Sequence, residues 1–148
     1  MTEHTIYLGG GCFWGLQGYI RQISGVLSTE VGYANGPSSN PSYEEVCHDS
    51  GHVEALKVTY DADTLSLDHL IQYFLRAIDP FSINKQGGDE GIQYRTGIYY
   101  IDNADKSIIE ATLARAQSFE SKPFAIEVLP LHNYYLSLIH ISEPTRPY

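Results

Sequence analysis

The stretch TIYLGGGCFWGLQGYIRQISGVLSTEVGYA, residues 5–34, changes period twice, and those changes decide the fold. Thr5–Leu8 is a short β-type run that ends on Gly9, Gly10 and Gly11. Beyond Cys12 the apolar residues Phe13, Leu16, Ile20 and Ile23 recur at steps of three and four, the spacing of one helix face. Gly25 stops the helix as a C-terminal cap, and VLSTEVGYA, 26–34, returns to a strand-like run. One stretch thus supplies a strand, a helix and a second strand.

The rest of the chain repeats that alternation. NGPSSNPSY, 35–43, is loop, dense in Gly, Pro, Ser and Asn. HVEALKVTYD, 52–61, alternates apolar and polar side chains as a strand does. SLDHLIQYFLRAID, 66–79, is a helix in which Ser66 is the N-cap, Leu67, Leu70, Ile71, Phe74 and Leu75 line one face, and Pro80 lies just beyond. INKQGGDEGIQYR, 83–95, is a second glycine-rich loop. TGIYYID, 96–102, reads as a strand, NADKSIIEATLARAQSFE, 103–120, as a long polar-faced helix, and FAIEVLPL, 124–131, as a last strand. Strands and helices interleaved in this way predict an α+β fold: a mixed β-sheet with packed helices, a two-layer sandwich built on a split βαβ, ferredoxin-like core. HNYY, 132–135, leads to no further element. LSLIHISEPTRPY, 136–148, does not read as native, because Pro144 and Pro147 forbid a regular continuation. The expected organisation is one domain over residues 1–135 and a tail over 136–148, either a readthrough or adapter translation or an ordinary frayed end.

Composition narrows the function. A chain of 148 residues, 43% apolar and 18% charged, is long enough to bury a core and is not of disordered type. It contains no apolar run of the ~18 residues a membrane span needs, so no membrane partner is expected. MTEHTIYLGGGC has neither a basic n-region nor a long apolar h-region, so the expected location is cytoplasmic. A formal charge of −9, from 18 acidic and 9 basic side chains, argues against a nucleic-acid partner, whose phosphates need clustered Lys and Arg. Cys12 and Cys47 do not make a disulfide scaffold, and reduced thiols are the expectation.

Cys12 stands where a strand passes into a helix. Backbone N–H groups at a helix start have no intrahelical partner, and with the positive end of the dipole they favour a thiolate. An ordinary thiol, with a pKa near ~8.5, is only a few per cent ionised at neutral pH. Lowering that value by about 1.5 units takes ~2 kcal/mol, within reach of such a junction. The glycines permit positive φ and close approach of backbone. A buried, inert thiol would occupy the same place, and the junction alone leaves both readings open. Phe13 and Trp14 are each ordinary core residues taken singly, but adjacent helix residues cannot both face one core, so one ring stays near the thiol. An aromatic wall there fits a substrate with an apolar end, such as a methyl group.

On the 52–61 strand, alternation puts Glu54 on the same side as Leu56, Val58 and Tyr60, with Lys57 and Thr59 opposite. A carboxyl on an apolar face is costly when charged, so its pKa should rise toward neutrality, which makes it a candidate general acid. A glutamate reaching solvent at the sheet edge is the alternative. Cys47, His48 and His52 have part of a metal-ligand spacing but no fourth ligand, and no metal is expected.

GCFWG, 11–15, resembles the signature of the A-type peptide methionine sulfoxide reductases. The resemblance extends in the family's order through NPSYEEVC (40–47), GHVEALKVTYD (51–61), DPFSINKQGGDEGIQYR (79–95) and the following TGIYY, nearly the whole chain to about residue 135. It implies thiol-dependent reduction of methionine S-sulfoxide, free or in proteins, and so repair of oxidised proteins. It casts Cys12 as the nucleophile that becomes a sulfenic acid and Glu54 as the proton donor to the sulfoxide oxygen. Tyr43 and Tyr94 become hydroxyl donors beside it, Asp89 orders the pocket, and Phe13 and Trp14 hold the methyl group. It further implies a monomer with no bound cofactor, recycled by thioredoxin or another external thiol. Many relatives carry a resolving cysteine in a C-terminal segment after a Tyr-His-Gln-type motif. Here no cysteine follows Cys47, the matching segment is replaced by 136–148, and His140 is outside that motif. Cys47 itself matches a position that need not be catalytic. Two other classes stay open at this point: a cysteine-based acyl hydrolase with His52 as base, and a non-catalytic, acidic, Tyr-rich α+β binding module.

Overall fold

The computed structural model describes residues 2–11, 13–34, 53–78, 80–81, 85–86, 89–90, 95–132 and 134–136, except for the side chains of residues 13, 85, 86, 89, 90, 135 and 136. The elements in chain order are β1 (Glu3–Gly9), α1 (Phe13–Ile20), β2 (Val26–Ala34), β3 (Val53–Asp61), α2 (Leu67–Ala77), β4 (Lys85–Gln86), β5 (Asp89–Glu90), β6 (Gly97–Tyr100), α3 (Asn103–Gln117), β7 (Glu127–Pro130) and β8 (Tyr134–Leu136).

A six-stranded sheet has the order β7-β6-β1-β3-β2-β8. β1 and β2 both run antiparallel to β3, which lies between them, so they are parallel to each other and α1 joins them as a split βαβ unit. β6 adds antiparallel to the other edge of β1, completing the ferredoxin-like arrangement of four strands. β7 pairs parallel with β6 after the α3 crossover, and β8 closes the far edge antiparallel to β2. The sheet is therefore mixed and the fold is α+β, as the alternation of periods predicts.

The strand period of two sorts the side chains onto two faces. Ile6, Leu8, Leu56 and Val58 point to the helix side and are fully buried there with Ile20, Leu70 and Phe74. Each such side chain contributes about 1.5–3 kcal/mol by leaving water. The other face carries a smaller cluster of Tyr7, Ala34, Val53, Ala55 and Tyr99, against which Leu131 and Tyr134 pack.

Helix boundaries follow from local chemistry. Ser66 caps α2 by accepting from the His69 N–H at 3.1 Å, and Leu67, Leu70, Ile71 and Phe74 of the predicted face are buried, while Leu75 is half-buried. Asp102 caps α3 by accepting from the Ala104 N–H at 3.0 Å. Asp68 on α2 accepts from Thr112 and Arg115 on α3, which ties the two helices together. α1 ends at Ile20, earlier than the apolar spacing to Ile23 predicts, because the chain turns through the Ile23 N–H to Ile20 C=O bond. Gly25 still marks the exit: its φ is +102°, and a Cβ there would stand 2.6 Å from Leu65 Cβ.

Three strands go beyond what the sequence predicts. β4 and β5 pair as a minimal hairpin, Lys85 with Glu90 and Gln86 with Asp89, inside the segment 83–95 read as loop. Gly87-Gly88 between them is the hairpin signal, and paired runs of two residues are too short to show a period. β8 takes up Tyr134 and Tyr135, which the sequence leaves unassigned, and Leu136, which it assigns to the tail, through the pairs Ala34–Tyr134, Tyr33–Tyr135 and Gly32–Leu136. Among the described residues no helix is long and apolar enough to cross a membrane.

Candidate active site

The three glycines before Cys12 answer to three different constraints. Gly9 is the last residue of β1 and pairs with Ala55 on one side and Gly97 on the other. A Cβ on Gly9 would lie 3.0 Å from Val53 Cγ2, 3.3 Å from the Arg95 carbonyl oxygen and 3.4 Å from that of Glu54. A Cβ on Gly10 would lie 2.5 Å from Ile78 Cγ2, so α2 and its exit press on this residue. Gly11 has φ +76°, a left-handed conformation that any side chain would strain. The helix begins two residues later, at Phe13. Cys12, between them, lies outside the described residues.

Glu54 belongs to the same end of the sheet. It is the neighbour of Ala55 in β3, and it pairs with Tyr33 of β2. It is 2% exposed, on the face that buries Leu56, Val58 and Tyr60, where alternation predicts it; Lys57 and Thr59 on the other side are half-buried. Strand register thus brings a buried carboxyl beside the strand that leads into position 12. A carboxyl withdrawn from water is costly to ionise unless partners compensate.

The remaining predicted residues separate. Trp14 is 5% exposed and packs in the helix-side core. Phe13 opens α1, and its side chain is outside the described residues. Asp89 is in β5, paired with Gln86. Tyr43, Cys47, His48, His52, Tyr94 and His140 lie outside the described residues. A groove of about 260 Å³ runs along α2; among the described residues it is lined by His69, Gln72, Tyr73 and Arg76, and neither Glu54 nor Trp14 is one of them. Among the described residues no group of His, Cys, Asp and Glu gathers as a metal site.

One cluster near this end escaped the sequence reading. The Glu127 Oε2 oxygen accepts from the Tyr99 hydroxyl at 2.6 Å and from Arg95 Nε at 3.1 Å. Tyr99 is fully buried, and burial first, then the Glu127 charge, pushes its phenol well above the ordinary value. Gly97 is required beneath it, since a Cβ there would collide with the Tyr99 hydroxyl. The only hint in the sequence is a single charge in the apolar run FAIEVLPL.

A ferredoxin-like α+β core, with glycines leading one strand into a cysteine and a carboxyl buried on the neighbouring strand, defines the class of a small thiol-based enzyme. The family model for peptide methionine sulfoxide reductase matches residues 4–138. The chain is 55% identical over 132 residues to the peptide methionine sulfoxide reductase MsrA of Lachnoclostridium phytofermentans, covering 88% of this chain and 80% of that one. It is 48% identical over 131 residues to the MsrA of Clostridium botulinum, covering 88% and 83%. Among solved structures it resembles reduced Mxr1 from Saccharomyces cerevisiae, with TM-score 0.88 and 30% identity over 99% of this chain and 88% of that one. Methionine sulfoxide reductase A of Corynebacterium diphtheriae gives TM-score 0.82 and 29% identity over 99% and 77%.

The chain belongs to the peptide methionine sulfoxide reductase family, A type. It is a peptide-methionine (S)-S-oxide reductase, an enzyme that reduces methionine sulfoxide with a thiol reductant. The hydrolase and binding-module readings fall with that assignment.

Proposed function

We propose that Cys12 and Glu54 perform the reduction as nucleophile and proton donor. The Cys12 thiolate attacks the sulfoxide sulfur while Glu54 assists protonation of the oxygen, which is too basic to leave as oxide. The oxygen passes to cysteine: Cys12 is oxidised by two electrons to sulfenic acid, and the sulfoxide is reduced to methionine. Tyr43 and Tyr94 donate hydroxyl hydrogen bonds to that oxygen, Asp89 orders the pocket, and Phe13 and Trp14 receive the methyl group. A second thiol, Cys47 or an external one, then condenses with the sulfenic acid and releases water, and thioredoxin reduces the resulting disulfide. Mxr1 is known in a complex with Trx2, and this chain is proposed to use a reductant of that class. The enzyme is proposed to act as a cytoplasmic monomer without a bound cofactor, on free or protein-bound methionine sulfoxide.

The observation that carries this reading is the placement of Glu54: 2% exposed, on the helix side, beside the strand whose glycines lead into position 12. Burial raises the cost of ionising a carboxyl, and the partners it meets set how far. The test is reduction of the separate R and S epimers of methionine sulfoxide by wild type and Cys12→Ser. Wild type is expected to reduce only the S epimer and Cys12→Ser neither; S-epimer reduction by Cys12→Ser would overturn the assignment of the nucleophile.

A further inference from the structure

We infer that Glu127 is a positioning residue for the reduction, acting through Arg95 on the backbone that holds Glu54. Glu127 lies on β7, two strands away from β1, and pairs by its backbone with Gly97. Its N–H donates to the Thr96 carbonyl at 2.9 Å, so the strand is fixed to the start of β6 by main chain as well as side chain. The carboxylate then gathers two donors on one oxygen, Tyr99 from the sheet face and Arg95 from just before β6. The Arg95–Glu127 pair is not an ordinary surface ion pair, with side chains 17% and 32% exposed.

Arg95 meets the catalytic end of the sheet through its carbonyl. The Arg95 and Glu54 carbonyl oxygens both converge on Gly9, at 3.3 Å and 3.4 Å from the place its Cβ would take. Three backbone segments therefore touch at one glycine: the end of β1 leading to Cys12, the start of β3 carrying Glu54, and the approach to β6 carrying Arg95. The Glu127 clamp holds the third against the first two. Charge-assisted hydrogen bonds of this kind are directional, and Arg gives them a fixed geometry. Small displacements of a catalytic group cost large factors in rate, about 100-fold per ångström in unfavourable cases. Glu127 touches no reacting atom; its effect passes entirely through Glu54.

This inference rests on the proposed role of Glu54, and a double-mutant cycle separates the two. Methionine release is followed in a single turnover of the full chain for wild type, Glu127→Ala, Glu54→Gln and the double variant, with Glu127→Gln as the conservative replacement that keeps an acceptor for both donors. Glu127→Ala is expected to slow release about 10-fold in wild type and less than about 2-fold in the Glu54→Gln background. Glu127→Gln should recover most of the rate. The rate of Cys12 alkylation by iodoacetamide should be unchanged by either variant, which separates positioning of the acid from loss of structure. Should Glu127→Ala fail to fold, Arg95→Lys takes its place in the same cycle. If Glu54→Gln is slow and Glu127→Ala costs the same factor in both backgrounds, the coupling is absent and the inference is wrong while the role of Glu54 stands. If Glu54→Gln reduces at the wild-type rate, the proton-donor role fails and the inference fails with it.

Discussion

Strand β3 carries a carboxyl near each end, and the two live in opposite environments. Glu54 is 2% exposed among apolar side chains at the end where β1 runs into α1. Asp61, at the other end, accepts from the Asp63 N–H at 3.0 Å, the Thr2 N–H at 3.2 Å and the Thr64 hydroxyl at 3.0 Å. The Asp63 N–H foremost, with the Thr2 and Thr64 donors, holds the Asp61 carboxyl below its ordinary value. Donors aimed at the half-buried Asp61 carboxylate fix its charge, whereas burial makes charge expensive unless partners compensate. One strand thus carries a hydrogen-bonded structural carboxylate at one end and, at the other, the buried acid proposed to deliver the proton. Each end is also marked by a left-handed glycine, Gly11 at φ +76° and Gly25 at φ +102°, so backbone strain alone does not distinguish a site from a turn.

The sharpest way to break this contrast is to neutralise each acid in turn. Glu54→Gln is predicted to slow single-turnover methionine release roughly 100- to 10,000-fold, the range of a lost general acid. Asp61→Asn should leave that rate within about 2-fold. Equal effects of the two substitutions would erase the distinction between the ends.

The glycines provide the next test. Gly11→Ala is predicted to cost about 1–3 kcal/mol of stability and also to slow alkylation of Cys12, because the residue sets the path of the chain into position 12. Gly25→Ala should cost at least as much, since it adds a contact with Leu65 to the strained φ, yet leave the alkylation rate unchanged. Thermal melting and iodoacetamide kinetics on both variants decide the matter; loss of thiol reactivity in Gly25→Ala would mean that the two turns are not independent.

The smallest effect concerns Asp61 and pH. A carboxyl whose folded pKa lies below its unfolded value of 3.8 stabilises the fold fully above that value. That contribution is lost as pH falls through the folded value. Asp61→Asn should therefore lower the melting temperature slightly at pH 7, with the gap from wild type closing as pH drops below about 4. A gap that persists unchanged in acid would assign the effect to packing rather than charge.

Much of this was legible in the sequence because it depends on short-range rules. Ser66 with the Leu67, Leu70, Ile71 and Phe74 spacing fixes α2, and the alternation from Val53 to Tyr60 places Glu54 on the core side before any coordinates. β8 was not legible, since a strand of three residues at a sheet edge gains its identity only from the partner β2. The Arg95–Glu127–Tyr99 cluster was not legible for the same reason: its members are up to 32 residues apart, and only the parallel pairing of β6 and β7 brings them together. The glycines were legible as a group but not as individuals. Sequence shows that backbone freedom is wanted before Cys12, whereas the tertiary contacts show that Gly9 and Gly10 are needed for close approach and Gly11 for its φ.

The most direct test of the whole account is to find where the sulfoxide oxygen goes. Wild-type enzyme is mixed with methionine S-sulfoxide without reductant, quenched with a sulfenic-acid-selective carbon nucleophile, and mapped by peptide mass spectrometry, in parallel with Glu54→Gln. The adduct is predicted on Cys12, forming with release of about one methionine per chain and far more slowly in Glu54→Gln. Methionine release with Cys12 unmodified throughout, or an adduct that forms equally fast in Glu54→Gln, would contradict it.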